Sequence, residues 1–314
     1  MNILILGAGA IGGYLGGRLT EAGIDVTLLV RPARKAQLDR DGLRITSVFG
    51  DVETPVQTIT ADTLTGTYDV VIVTAKAYDL DSAIAAITPA IGPDTMIVPV
   101  LNGIGHIETL NAAFGAERVL GGTIQISALR RPDGSIEHRN DWHWLRFGEQ
   151  AGKADGGLSD RVIALRDTLA PAKGLEPVAL DNAMQEMWQK FVHLATAAGM
   201  TCLMRANAGQ IVRSEEGAEL FRHFLDTTAE IARRSGYPPS DDFMANYRKL
   251  FGDPQSGYVT SMLRDVEAGN PSEGEHILGL LVRTARAHGI DDPLLKAAYA
   301  ASRAYEERRR DGGF

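Results

Sequence analysis

A chain of 314 residues is long enough for two domains, each burying a core of its own. Its 44% hydrophobic and 23% charged residues are ordinary for a globular protein. A net charge of −8 and a pI of about 5.4 give no overall electrostatic case for binding nucleic acid or an anionic membrane. The lone Cys202 excludes an intramolecular disulfide and a multi-cysteine metal site, and is expected in the core.

The first strand is expected at Ile3 to Leu6, and it leads straight into Gly7-Ala8-Gly9-Ala10-Ile11-Gly12. Strand, glycines and then helix is the order that a dinucleotide pyrophosphate requires. Gly7 allows the tight turn, Gly9 lets the backbone approach the phosphates, and Gly12 lets the helix pack on the sheet. The free N–H groups at that helix start then face the phosphates. The helix continues through Leu15, Leu19 and Ala22 and stops at Gly23. No basic stretch precedes this strand, and no apolar run reaches about 18 residues, so neither a signal peptide nor a spanning helix is expected. A cytoplasmic enzyme fits these features.

The second strand, Ile24 to Val30, ends on Arg31 rather than on an Asp or Glu. A carboxylate there accepts from the ribose 2′-OH of NAD; a cation suits the 2′-phosphate of NADP. Arg34 and Lys35 follow and add charge, so NADP is the expected cofactor. Further strands are expected at Tyr68 to Thr74, Met96 to Leu101 and Gly121 to Ala128, with helices at Leu80 to Ile91 and Ile104 to Phe114. This alternation predicts a doubly wound, mostly parallel Rossmann-type sheet. Ile136 to Phe147 reads as antiparallel strands, and Glu176 to Leu180 as the last strand of the domain. The stretch Gly152 to Gly157 and the stretch Phe251 to Gly257 read as loops.

From Asn182 onward helical patterns take over, at 183–202, 218–235, 241–249, 261–267, 272–288 and 293–309. A nucleotide-binding domain is therefore expected over 1–181 and an all-helical domain over 182–314. Ser272 and Glu275 have the spacing of a capping box. Arg308, Arg309 and Arg310 close the last helix, where cations are favoured and need no partner. The apolar faces of the helical half would serve either an intramolecular core or a homodimer.

The segment GAGAIGG, Arg31 at the second strand's end, Thr74-Ala75-Lys76, Leu101-Asn102-Gly103-Ile104-Gly105, Trp188-Gln189-Lys190 and Ser261-Met262-Leu263-Arg264-Asp265-Val266-Glu267-Ala268-Gly269 with Glu273 together resemble the ketopantoate reductase family. The resemblance covers essentially the whole chain. It implies an NADP-dependent 2-dehydropantoate 2-reductase-like enzyme that reduces a 2-oxo acid or related ketone, a small-molecule carbonyl substrate. Lys190 is then the proton donor, on a helix that in this family packs across the cleft from the nicotinamide. Glu273 is its acidic partner, and contacts the cofactor as well. Ser261 would donate to the substrate carboxylate, although a helix cap is its alternative role. Asn102 would bridge cofactor and substrate, and Lys76 would contact the ribose or phosphate.

The chain departs from the family on the substrate side. Where the family that handles ketopantoate carries asparagines four and eight residues after the lysine, Leu194 and Ala198 stand here. Two further asparagines are replaced by Ala208, with Asn207 one residue early, and by Tyr258. A site that has lost these groups is not built for pantoate's hydroxyl. A paralogue with a less polar carbonyl substrate is expected, with His193 or Thr196 as possible substitutes. Two other readings share the opening motif: an opine- or 3-hydroxyacyl-type dehydrogenase, which depends on a His–Glu dyad, and a non-catalytic NADP-binding sensor.

Overall fold

The computed structural model describes residues 1–152 and 156–313. The loop expected at Gly152 to Gly157 falls partly on residues 153–155, outside that description. By internal contacts the chain separates into Met1–Leu101 with His106–Met184, and Asn102–Gly105 with Gln185–Phe314.

In the first unit the elements run β1 (Ile3–Leu6), α1 (Ala10–Glu21), β2 (Val26–Leu29), α2 (Pro32–Asp41), β3 (Leu43–Thr46), β4 (Val52–Thr54), β5 (Gln57–Ile59), β6 (Val70–Val73), α3 (Leu80–Ile87), β7 (Met96–Pro99), α4 (His106–Phe114), β8 (Gly121–Arg130), β9 (Ile136–Gly148), α5 (Asp160–Leu169) and β10 (Glu176–Leu180). Strands β5-β2-β1-β6-β7 form an all-parallel sheet in that order. Strands β6 and β7 are wholly apolar and buried, because helices and a second sheet leave them no wet face. The order reverses between β1 and β6, which makes that junction the sheet's topological switch point.

The second sheet is β10-β9-β3-β4 with β8 on β9; its strands β8, β9 and β10 match expected strands, but β3 and β4 do not show in the sequence patterns. Strands β3 and β4 have only four and three residues, too short to show a period. The antiparallel strands expected at Ile136 to Phe147 prove to be one long strand, β9, paired antiparallel with β8. The chain turns earlier, at Pro132-Asp133-Gly134, where Asp133 Oδ1 accepts from the Ser135 amide and hydroxyl. Helix α1 lies between the two sheets. A Cβ on Gly16 would stand 2.6 Å from Leu28, and one on Gly17 would stand 2.5 Å from Ile45, so its glycines set the approach on both sides. The helix expected at Leu80 to Ile91 ends at Ile87, since Pro89 turns the next residues into a 3₁₀ turn.

The second unit holds α6 (Ala183–Met204), α7 (Ala208–Val212), α8 (Glu215–Arg234), α9 (Asp241–Gly252), α10 (Ser261–Glu267), α11 (Leu280–Ala287) and α12 (Pro293–Arg310). Residues Ala195 to Met200 of α6 are buried on every side, as in a helix at the centre of a bundle. Gly199 lets α6 approach the Phe224 ring of α8. Thr196 is fully buried, and its hydroxyl pairs with Thr228 at 2.8 Å, so it links α6 to α8.

The capping box expected at Ser272 and Glu275 does not form. A π turn, Glu275–Gly279, precedes α11 and shifts the helix start to Gly274. Ser272 Oγ instead accepts from the Gly274 amide at 3.4 Å. Glu275 accepts from Tyr299 Oη and Arg283. Among the described residues no helix is long and apolar enough to cross a membrane.

Candidate active site

A cavity of about 770 Å³ opens in the first unit at the carboxyl ends of β1, β2, β5 and β6. Gly7, Ala8 and Gly9 form its floor. Gly7 has φ +96°, a conformation open to glycine, which sends the chain out of β1. A Cβ on Gly12 would collide with the Gly7 carbonyl oxygen and stand 2.6 Å from Thr74 Oγ1. A Cβ on Gly9 would meet nothing within 4 Å. Gly12 is therefore needed by the fold, while the space over Gly9 is room for a ligand. Ala10 and Ile11 make the first turn of α1, which has no side-chain cap and no acidic residue. Its amides and dipole favour an anion there. Thr74 Oγ1 donates to the Leu6 carbonyl at 2.7 Å and ties β6 to β1 at the switch point.

Four cations line this cavity, Arg31, Arg34, Lys76 and Arg130, against two carboxylates, Asp62 and Asp79. Arg31 follows β2, reaches outward with 84% of its side chain exposed, and lies 3.8 Å from Asp79. The Arg34 guanidinium donates to the carbonyls of Ala8 at 3.2 Å and Gly134 at 3.0 Å, so it braces the glycine loop. Burial first, and then the charge of Arg130, hold its pKa below the usual guanidinium value. Lys35 is turned elsewhere: its ammonium binds Asp39 at 2.8 Å and Thr58 at 2.9 Å. Arg130 was not anticipated, because β8 extends two residues beyond the expected Ala128. The pair Arg130-Arg131 before a Pro-Asp-Gly turn was the signal available for it.

The glycine loop, the uncapped helix start and the surrounding cations fit a dinucleotide. Residues Gly7 to Gly9 and the α1 amides would hold a pyrophosphate, and Arg31 with Arg130 would face the far ribose.

In the second unit Asn102 Nδ2 donates to Glu273 Oε2 at 3.3 Å. Glu273 is 2% exposed, a carboxylate placed inside the protein just before the π turn. Lys190 lies half-buried on α6, with His193 and Leu194 one turn further along the same face. Ala198, another turn on, is fully buried. Ser261 opens α10, but the cap is Thr260, whose hydroxyl accepts from the Leu263 amide at 3.1 Å. Capping is therefore not the role of Ser261.

The start of α7 holds Tyr258 in place. The α7 amides of Ala208 and Gly209 donate to the carbonyls of Tyr258 and Ser256 at 3.0 and 2.9 Å. Asn207 is spent on the α7 capping box with Gln210. So anchored, Tyr258 Oη lies 2.8 Å from His193 Nε2. The His193 ring stacks on Tyr247 with centroids 4.3 Å apart. Burial, with a smaller contribution from the charge of Lys190, lowers the His193 pKa to about 3. Burial likewise raises that of Tyr258. Both side chains are neutral at ordinary pH. Cys202 has its thiol pushed up to about 12 by burial and is no nucleophile. Among the described residues no three His, Cys, Asp or Glu side chains converge as a metal site.

Comparison with known proteins places these features in a family. The model of ketopantoate reductase PanE/ApbA matches residues 3–152, and the model of its C-terminal part matches residues 182–306. The uncharacterized oxidoreductase YkpB of Bacillus subtilis is 35% identical over 309 residues, covering 98% of this chain and 100% of that one. The crystal structure of a PanE/ApbA family ketopantoate reductase from Ralstonia eutropha superposes with a TM-score of 0.86 at 25% identity, covering 99% and 100% of the two chains. A D-mandelate dehydrogenase, solved with NADH and anilino(oxo)acetate, shares the fold with a TM-score of 0.84 at 22% identity, covering 99% and 100%.

Proposed function

Since the chain belongs to the ketopantoate reductase family, we propose that it reduces the carbonyl of a 2-oxo acid or related ketone to the hydroxy compound, with NADPH as the donor. The observation that carries this reading is the Asn102–Glu273 pair, an amide bonded to a buried carboxylate in the same unit as Lys190. NADPH rather than NADH is favoured by the cations of the cavity and by the absence of a carboxylate at the end of β2.

A reduced nicotinamide bound by the first unit supplies the hydride. The Lys190 ammonium polarises the carbonyl and gives its oxygen a proton as the alkoxide develops. Glu273 serves as the acidic partner that favours the charged lysine, and holds one N–H of Asn102 so that the rest of that amide is aimed at cofactor and substrate. Ser261 donates to the substrate carboxylate, Lys76 meets the cofactor's ribose or phosphate, and Leu194, Ala198 and Tyr258 bound the substrate side.

The test is consumption of NADPH with a panel of 2-oxo acids. Oxidation that depends on one of them supports the reading. NADPH binding with no turnover of any 2-oxo acid overturns it and leaves a nucleotide-binding sensor.

A further inference from the structure

Beside Lys190 the second unit carries an unusual concentration of rings. His193 stacks on Tyr247, with Phe251 behind both at 5.9 and 5.7 Å between centroids. Tyr258 closes the group, 5.7 Å from His193 and 6.2 Å from Phe251. Phe251 is 3% exposed and is itself stacked on Phe221 at 4.7 Å, so it anchors the cluster in the core. His193, Leu194, Tyr247 and Tyr258 are only half-buried, and keep part of their surface accessible.

One polar edge of this wall is occupied: Tyr258 Oη and His193 Nε2 bond each other at 2.8 Å, so that hydroxyl and ring nitrogen are spent inside the cluster. The rings are also fixed. They come from three elements, α6, α9 and the loop before α10, and the loop is pinned by the α7 amides. Stacked aromatic groups are stabilised beyond the area they bury. A rigid wall of ring faces gains this from a flat partner and not from an aliphatic one.

We infer that the substituent on the substrate's carbonyl carbon is an aromatic ring, seated against His193, Tyr247 and Tyr258 with Leu194 at its edge. This rests on the reading of Lys190 as the proton donor. It adds that the residues standing where the family keeps asparagines make up a positive specificity element, not merely a loss of contacts.

The experiment compares kcat/KM with NADPH for phenylglyoxylate, cyclohexylglyoxylate, 3-methyl-2-oxobutanoate and ketopantoate. The expected result is phenylglyoxylate preferred by about tenfold or more over each of the others, the saturated ring of similar size included. Tyr258→Asn is expected to reduce the preference for phenyl over aliphatic by about tenfold, and Tyr258→Phe, which keeps the ring, to retain it. An aliphatic acid or the saturated ring equalling phenylglyoxylate in the wild-type protein overturns the inference while leaving carbonyl reduction intact. An unchanged ratio in folded Tyr258→Asn overturns it too. No turnover of any of the four removes the reading of the site on which the inference rests. The wild-type comparison decides the matter even if the asparagine variant fails to fold.

Discussion

Asn102 Nδ2 donates to Glu273 Oε2, joining two residues 171 positions apart in the chain. Asn102 follows β7, yet by its contacts it groups with the helical residues. Glu273 lies on the short segment before the π turn and is almost without exposure. A carboxylate so placed is costly to bury without partners, and the amide is one of them.

Glu273→Gln tests what its charge contributes. The glutamine keeps the shape but removes the negative charge that the proposed mechanism assigns to the partner of Lys190. We expect kcat to fall about 10²-fold or more, with NADPH affinity changed far less. Steady-state kinetics with a separate binding titration checks this; a variant with unaltered kcat would show that the carboxylate is structural.

Two glycine substitutions should separate fold from function. Gly9→Ser places a side chain in the open space above the loop, at a helix cap where serine is well tolerated. Its unfolding free energy should stay within about 0.5 kcal/mol of wild type, while NADPH binding weakens about tenfold or more. Gly12→Val meets the Gly7 carbonyl and Thr74, and should lose about 1–3 kcal/mol of stability or more. Urea unfolding and fluorescence titration of NADPH distinguish the two. The reverse pattern would contradict the assignment of the cavity.

Arg31 is expected to choose between the two nicotinamide cofactors. Charge-assisted hydrogen bonds to a phosphate are worth about 1.5–3 kcal/mol, so Arg31→Ala should weaken NADPH about 10- to 100-fold and leave NADH nearly unchanged. Equal loss for both cofactors would place the 2′-phosphate elsewhere, with Arg130 as the next residue to replace.

His193 should leave a signature in the pH dependence of stability. Its folded pKa of about 3 lies below the unfolded value of about 6.5. Below pH 6.5 the unfolded chain therefore binds the proton that the folded one refuses. The stabilisation is fully present above pH 6.5 and is lost as pH falls toward 3. Between pH 7 and 4.5 the loss from this one ring is about 2–3 kcal/mol at most, reduced by solvent reaching its accessible side. Urea unfolding of wild type and His193→Phe at both pH values should show the variant losing less stability on acidification. Identical losses would contradict the neutral imidazole.

The glycine loop was legible because it is local: strand, turn and helix start lie within ten consecutive residues. The helical character of the second half was legible for the same reason, since each helix repeats its pattern over several turns. The second sheet was legible only in part: β8, β9 and β10 were expected, but β3 and β4 are too short for a period to emerge, and Ile45 of β3 pairs with Ile136 of β9, far along the chain. Arg130 lies two residues past the expected end of β8. The His193–Tyr258 contact spans 65 residues, and no local pattern encodes it. Ser272 and Glu275 show the opposite failure: the capping spacing was present, but a π turn and the partners Tyr299 and Arg283 took those groups for other bonds.

Lys190→Ala tests the central claim most directly. NADPH oxidation with the best 2-oxo acid and NADPH binding are measured on the same preparation of wild type and variant. The account predicts turnover reduced about 10²- to 10⁴-fold with cofactor affinity unchanged within about twofold. A variant that turns over like wild type would show that the proton comes from another group, and the role assigned to Lys190 would be wrong.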